Sequence, residues 1–317
     1  MTTLGDIAEL VRAPAALSVP GDTLAGATVT GTLGARAAGL SAAAVCLYWA
    51  GMAANDWADR ELDAAERPER PIPSGRVAPA AALGVATALT ATGLGLAGLV
   101  GGRRALAVAA PLAGLAWWYD LTLKDTPAGP AAMAACRGLD VLLGASAGNA
   151  GKWRRAAMPA LTVAAHTYTV TALSRREVTG GGPLLPGATL LGTIAVAASA
   201  AAPAAASLPA ALAAASPAAV LAAVAPAAGP GSLRERVRRL LPAALAAWYT
   251  VGYGVAQARA VAEPDASHMR AAVREGITNL AALQGALIAR SGAPATGTAV
   301  AWAAPLGRAL SKRLSPT

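Results

Sequence analysis

The densest polar segment of the chain reads Asn55-Asp56-Trp57-Ala58-Asp59-Arg60-Glu61-Leu62-Asp63 and continues an apolar stretch without a break. At about 100° per residue, Asn55, Asp56, Asp59 and Asp63 fall near 0°, 100°, 40° and 80°, so one amide and three carboxylates share about a quarter of a helix; Glu61, near 240°, points away. Three carboxylates on one face repel one another unless a cation lies between them. Hard oxygen ligands suit magnesium, which commonly serves to grip phosphate. Downstream, Arg67 and Arg70 lie in Arg-Pro-Glu-Arg-Pro-Ile-Pro-Ser-Gly, where the prolines predict a stiff, extended loop presenting two guanidinium groups. Carboxylates, metal and arginines together describe a diphosphate site. The bland alternative is a solvated loop at a membrane edge that carries both charge signs.

The elements that must position these groups are apolar. Of 317 residues, 55% are hydrophobic and 14% charged, and the mean hydropathy is +0.48. Soluble domains are about 25% charged, so this composition excludes a disordered or ordinary soluble chain and points to an all-α, polytopic transmembrane bundle in a lipid bilayer. Apolar stretches at 14–33, 37–54, 80–100, 105–119, 130–150, 157–173, 186–203, 207–228 and 240–257 predict about nine spans. Many are built from Ala, Gly and Leu, whose small members let helix backbones approach closely. The first run follows Asp6 and Glu9 and contains Pro14 and Pro20, unlike a cleaved signal peptide, and reads as a retained span. After Pro264 the chain turns amphipathic, with a weaker apolar run from Ile277 to Ala289. The sequence leaves open whether this tail, 262–317 of one 1–317 domain, spans the membrane, lies on its surface or packs inside.

The net charge of +9 is dispersed between apolar stretches, which fits the flanks of spans and not the continuous basic face of a nucleic-acid binder. If the spans alternate, one side carries six Lys and Arg residues and the other thirteen, counting Arg12 and the loops after spans 2, 4, 6 and 8. The positive-inside bias therefore places the N-terminus and the chemically interesting loops in the cytoplasm, most simply at a bacterial inner membrane. Cys46 and Cys136 both fall in apolar stretches and suggest neither a disulfide framework nor a metal site.

The pattern Asn55-Asp-x-x-Asp59-x-x-x-Asp63, then Arg67 and Arg70-Pro71, resembles the first aspartate-rich motif of the UbiA-type intramembrane prenyltransferases. The resemblance extends from residue 12 to about 230. It implies nine transmembrane helices around a central cavity and Mg2+-assisted binding of a polyprenyl diphosphate, whose prenyl group passes to a small-molecule acceptor. By this resemblance Asp56, Asp59 and Asp63 hold magnesium, Asn55 supports them, and Arg67 and Arg70 form the basic extension. Tyr119 and Lys124 fall where the family carries a Tyr and a Lys that contact diphosphate. A fixed ammonium stabilises the charge that builds on the departing diphosphate, although an interfacial Tyr with a snorkelling Lys reads similarly.

The family's second acidic motif corresponds here to Leu173-Ser-Arg-Arg-Glu177-Val-Thr-Gly-Gly-Gly182, in which Glu177 is the one carboxylate available as catalytic or metal-binding acid. Arg175 and Arg176 are either diphosphate partners or a positive-inside anchor. Asp22 and Asp140 lie inside apolar runs, where ionisable groups face a cavity or a partner, and so are candidates for the acceptor pocket or for metal support. Arg137 lies three residues before Asp140 and pairs with it or serves the same pocket. His166 reads as a buried, hydrogen-bonded histidine. Two further readings stand beside the transferase: a cyclase of the same superfamily, and a non-catalytic carrier or scaffold for a prenyl lipid or biosynthetic intermediate. No obligate protein partner is readable. If the topology is right, cysteines introduced near Ala64, Asp125 and Thr179 all react with an impermeant maleimide from the cytoplasmic side, and opposite labelling of any one breaks the span assignment.

Overall fold

The computed structural model describes residues 2–202, 233–303 and 305, and every regular element among them is helical. In chain order these are α1 (Leu4–Leu10), a 3-10 segment (Ala13–Ser18), α2 (Val19–Thr30), α3 (Ala35–Ala58), α4 (Arg60–Glu66), α5 (Pro79–Trp118), a π turn (Tyr119–Leu123), α6 (Gly129–Ala145), α7 (Ala150–Trp153), a 3-10 turn (Arg154–Ala156), α8 (Ala157–Ser174), α9 (Leu184–Ala201), α10 (Leu233–Ala262), α11 (Ala266–Arg290) and α12 (Pro294–Ala301). Ala35–Ala58, Pro79–Leu123 and Leu184–Ala201 are long and apolar enough to cross a membrane. The apolar stretch 207–228 lies outside the described residues.

The expected spans at 14–33, 80–100 and 105–119 take specific forms. The first, 14–33, divides into the 3-10 segment and the twelve-residue α2, because Pro14 and Pro20 each start a new element at its first turn. The third and fourth are the two arms of α5, which fold back on each other at Gly102, where φ is 66°. Only glycine takes that conformation cheaply. The hairpin is closed at its open end by Trp117 Nε1, which donates to Thr90 Oγ1 at 3.0 Å.

Packing runs through small residues. α3 lies along the α5 hairpin, burying Leu40, Ala43 and Leu47 with Ala97, Ala105, Val108 and Leu112. Between α2 and α6 the backbones themselves meet: a Cβ at Gly26 would overlap the Val141 carbonyl oxygen, and one at Gly144 would overlap the Thr23 carbonyl. Lipid gives helices no hydrophobic reason to associate, so such close approach is what dispersion forces require. The C-terminal half packs α8, α9, α10 and α11 around Tyr249, Tyr253, Leu283 and Leu287.

Within the tail, α11 takes an interior position. α11 touches α2, α8, α9, α10 and α12, and every residue from Leu280 to Ala289 is buried. A helix buried all round is a core helix, and its polar residues need partners. Gln284 supplies them, donating from Nε2 to Asp22 Oδ1 at 2.6 Å and to the Ser18 carbonyl at 2.7 Å. Gly144→Val is expected to destabilise the bundle by about 1–3 kcal/mol or more through overpacking. Gly114→Ala, where an added Cβ meets nothing within 4 Å, leaves the melting temperature in detergent unchanged or slightly higher. Equal melting of the two variants would show that α2 and α6 do not meet backbone to backbone.

Candidate active site

The acidic segment begins as the last turn of α3. The helix breaks at Asp59, whose φ and ψ are −87° and 3°. Its phase nevertheless survives, because Asp59 N still bonds the Asn55 carbonyl at 2.9 Å and Asp63 N bonds the Asp59 carbonyl at 2.8 Å. The expected shared face is therefore retained across the break. The loop after α4 is a run of hydrogen-bonded turns and not the extended strap its prolines suggest. Arg70 N bonds the Arg67 carbonyl at 3.1 Å, Ser74 N the Arg70 carbonyl at 3.0 Å, and Val77 N the Pro71 carbonyl at 2.9 Å. Proline's fixed φ suits the second position of a turn as well as it suits extended chain.

Each carboxylate of the segment is held by a cation. Arg70 Nη1 bridges two of them, donating to Asp63 Oδ2 at 2.6 Å and to Asp56 Oδ1 at 3.4 Å. Arg67 adds a longer contact to Asp63 at 3.8 Å, and Lys124 pairs closely with Asp59. The fourth cation is Arg12, whose Nη2 donates to Asp56 Oδ1 at 2.8 Å. Arg12 has φ 48°, the one left-handed non-glycine residue among those described. Such strain persists only where the surroundings over-determine it, and it is often found at working sites.

A fourth acid joins them. The π turn, closed by Lys124 N to the Tyr119 carbonyl at 3.0 Å, brings Asp120 against α3, where Oδ1 accepts from Asn55 Nδ2 at 3.4 Å. Asp56, Asp59, Asp63 and Asp120 thus face Arg12, Arg67, Arg70 and Lys124, four negative groups against four positive. Tyr119 sits beside them, half-buried at the start of the same turn. The donor set is all oxygen, the type magnesium prefers. Among the described residues these acids do not converge on one point; the one group of His, Cys, Asp and Glu that does converge is the surface set Glu263, Asp265 and His268.

Two clamps position the segment. Arg76 Nη1 donates to Asp6 Oδ1 at 2.8 Å and Glu9 Oε2 at 2.7 Å, tying the loop to α1. Hydrogen bonds from Thr3, then from Arg76, hold the Asp6 carboxyl at about 2, well below the usual carboxylate range. On the other side Arg175 donates to the backbone carbonyls of Thr126 and Asp125, fixing the loop that carries Lys124. Arg175 is thus a positioning group here, and Arg176 is exposed beside Gly181. Glu177 is half-buried. That burial raises its carboxyl above the ordinary range, while Arg270, Arg274 and Arg67 pull it down, and Arg270 Nη1 also donates to the Glu177 carbonyl at 2.8 Å.

Deeper in the bundle, Arg137 pairs with Asp22 at 2.9 Å and not with Asp140, its neighbour on α6. The fully buried Asp22 offers a carboxylate from the facing helix, whereas Asp140 Oδ1 has no hydrogen-bond partner. His166 is buried as expected, with Nδ1 2.8 Å from Tyr249 Oη. Sequence reasoning missed Arg12 and Asp120. The first was visible only as one flanking charge among many, and the second needs the π turn to bring it inward.

The sequence profile of the UbiA prenyltransferase family matches residues 19–251. The digeranylgeranylglyceryl phosphate synthase of Methanopyrus kandleri is 44% identical over 109 residues, 34% of this chain and 38% of that protein. Its namesake from Ignicoccus hospitalis is 43% identical over 118 residues, 37% of this chain and 39% of that protein. The matched region therefore spans less than two-fifths of these curated relatives. A solved structure concerning digeranylgeranylglyceryl phosphate synthase in membranes aligns with TM-score 0.60 and 17% identity over 91% of this chain and 98% of that one. The apo structure of a UbiA homologue from Aeropyrum pernix K1 aligns with TM-score 0.57 and 22% identity, over 86% and 96% respectively. At these identities the two structures establish a shared fold.

The pairing at Asp63 generates a direct test. Asp63→Asn removes the charge that anchors both Arg70 and Arg67, so backbone amides of residues 67–77 are expected to exchange hydrogen about tenfold faster or more, while those of α8 are unaffected. Unchanged exchange in the loop would show that its turns, and not the ion pairs, hold it.

Proposed function

The chain belongs to the UbiA prenyltransferase family, and from that premise we propose that it moves a prenyl group from a polyprenyl diphosphate to an acceptor dissolved in the membrane. The observation that carries this reading is the charge-balanced cluster at the end of α3. Asp56, Asp59 and Asp63 suit a divalent cation and the four cations suit a diphosphate, so the site offers both halves of a metal–diphosphate complex. UbiA prenyltransferases generally use Mg2+ to bind diphosphate, and here Asp56, Asp59 and Asp63 would hold it. Bound there, it would neutralise charge on the diphosphate.

The protein's own groups account for the remainder. Arg70, Arg67 and Arg12, once their carboxylates take a metal, are free to donate to phosphoryl oxygens, with guanidinium forks that match them. Lys124 stands where charge accumulates as the carbon–oxygen bond breaks, and stabilises the transition state more than the bound substrate. The surrounding bundle keeps water from the allylic cation. Its outer surface, with Leu99, Leu184, Leu191 and Val251 exposed, lets a prenyl chain enter from lipid while its diphosphate stays at the mouth. The relatives named as digeranylgeranylglyceryl phosphate synthases favour a hydroxyl-bearing glyceryl phosphate lipid as the acceptor class.

One observation favours a second reading, a carrier without turnover: Glu177, the sole acid of the second loop, lies within electrostatic reach of Arg270, Arg274 and Arg67 and is a single ligand for a second metal. Membranes containing the protein, supplied with labelled geranylgeranyl diphosphate, Mg2+ and a lipid extract, decide between them. A labelled product with the mass of prenyl group plus acceptor is expected. Asp59→Asn, which leaves Lys124 without its partner, lowers the rate about a hundredfold or more, equivalent to a loss of a few kcal/mol of transition-state stabilisation. A bare hydrocarbon product would indicate cyclase chemistry. Binding without release of diphosphate would establish the carrier.

A further inference from the structure

We propose that Asp120 is the base that removes the proton from the acceptor's nucleophilic hydroxyl, an inference that rests on the prenyl-transfer reading above. Its placement separates it from the other acids of the site. Among the described residues, Asp56, Asp59 and Asp63 each have a Lys or Arg within 4 Å, and Asp120 has none. Its one hydrogen-bond partner is the Asn55 amide, at a long 3.4 Å. A carboxylate engaged by a guanidinium is a poor proton acceptor, whereas one held only by a neutral amide keeps its lone pairs available.

Position supports the role. Asp120 is 4% exposed, yet Lys124, Asp59 and Arg12 all lie within electrostatic reach, so it borders the interior side of the diphosphate cluster. The π turn accounts for this. Its extra residue places Asp120 against α3 while Lys124, four residues on, still reaches Asp59. Single π turns are rare and recur at functional sites. On the opposing helix, position 51 is glycine, and a Cβ there would stand 3.7 Å from Asp120 Oδ2, against the side of the carboxylate that Asn55 leaves free.

The chemistry requires such a group. As transfer proceeds, the bond from C1 to the diphosphate oxygen breaks and its electron pair stays on diphosphate. The acceptor oxygen bonds to C1, and the hydroxyl proton passes to an Asp120 oxygen. The resulting carboxylic acid returns the proton to water after the products leave. With Asp120 only 4% exposed, a buried carboxylate and not bulk water is the group placed to take that proton, and departing diphosphate, held by cations, is a weak competitor for it.

The test uses full-length protein in membranes, Mg2+, geranylgeranyl diphosphate and a lipid extract as acceptor source, alongside calorimetry with the unreactive geranylgeranyl thiolodiphosphate. Asp120→Asn is expected to lower transfer about a hundredfold or more, while affinity for the thiolodiphosphate with Mg2+ stays within about twofold, which also reports a folded site. Formate, a small external base, is expected to restore part of the transfer by Asp120→Ala. Full transfer by Asp120→Asn would overturn the proposal. So would parallel loss of thiolodiphosphate affinity with no rescue by formate, which would make Asp120 a metal or positioning carboxylate. Absence of transfer by the unsubstituted protein is a different failure, because it removes the prenyl-transfer reading itself.

Discussion

Carboxylates gathered at the end of apolar helices need counter-charge, and the way Asp56, Asp59 and Asp63 obtain it organises this protein. In a membrane bundle a buried charge is tolerated only beside a partner or a cavity. Here the partners come from three separate places: Arg12 from the chain before α2, Arg67 and Arg70 from the loop after α4, and Lys124 from the end of the π turn. Each place ties a different segment to the acids at and just beyond the α3 terminus. The ion pairs therefore fold the mouth of the bundle as well as equip it. They are poor as pure stabilisers, since desolvation offsets much of the attraction, but they gather both charge signs at one end of α3.

That arrangement constrains the elements around it. α1 is held to the loop by Arg76, and the π-turn loop is held by Arg175, so both cation-bearing segments have a second anchor away from the acids. Below the mouth, small residues bring α2 and α6 into backbone contact, and α11 fills the interior with Gln284 bonded to Asp22. The polar network at depth, with Arg137 on Asp22, links three helices that are distant in sequence. Rigid helices below and exchangeable ion pairs above suit a site that must admit a large anion without unfolding its frame.

How much of this was legible in the sequence follows from the range of each interaction. The acid face was legible because helical periodicity is local, and it survived the break at Asp59 since the hydrogen bonds carried the phase across. Lys124 was legible by resemblance. Arg12 was not, because it meets Asp56 only through the tertiary fold and 44 positions separate them. The Arg137–Asp22 pair was misread for a related reason: spacing on one helix favoured Asp140, and only the packing of α2 offered a better partner. The burial of α11 was left open, since a weak apolar run with interspersed Asn and Gln reads as amphipathic until its neighbours are known.

Central to the proposed function is an exchange, in which the acids give up their cations for a metal when the cations take a diphosphate. The most direct measurement is the thermodynamic coupling between Mg2+ and geranylgeranyl thiolodiphosphate, obtained by titrating each alone and each with the other saturating. Exchange of partners makes each ligand relieve the cost of binding the other, so mutual tightening of about tenfold to a hundredfold is expected, and it must be equal in both directions. Independent binding, with the same affinity for thiolodiphosphate in EDTA as in Mg2+, would contradict the exchange and leave the arginines alone as the diphosphate site.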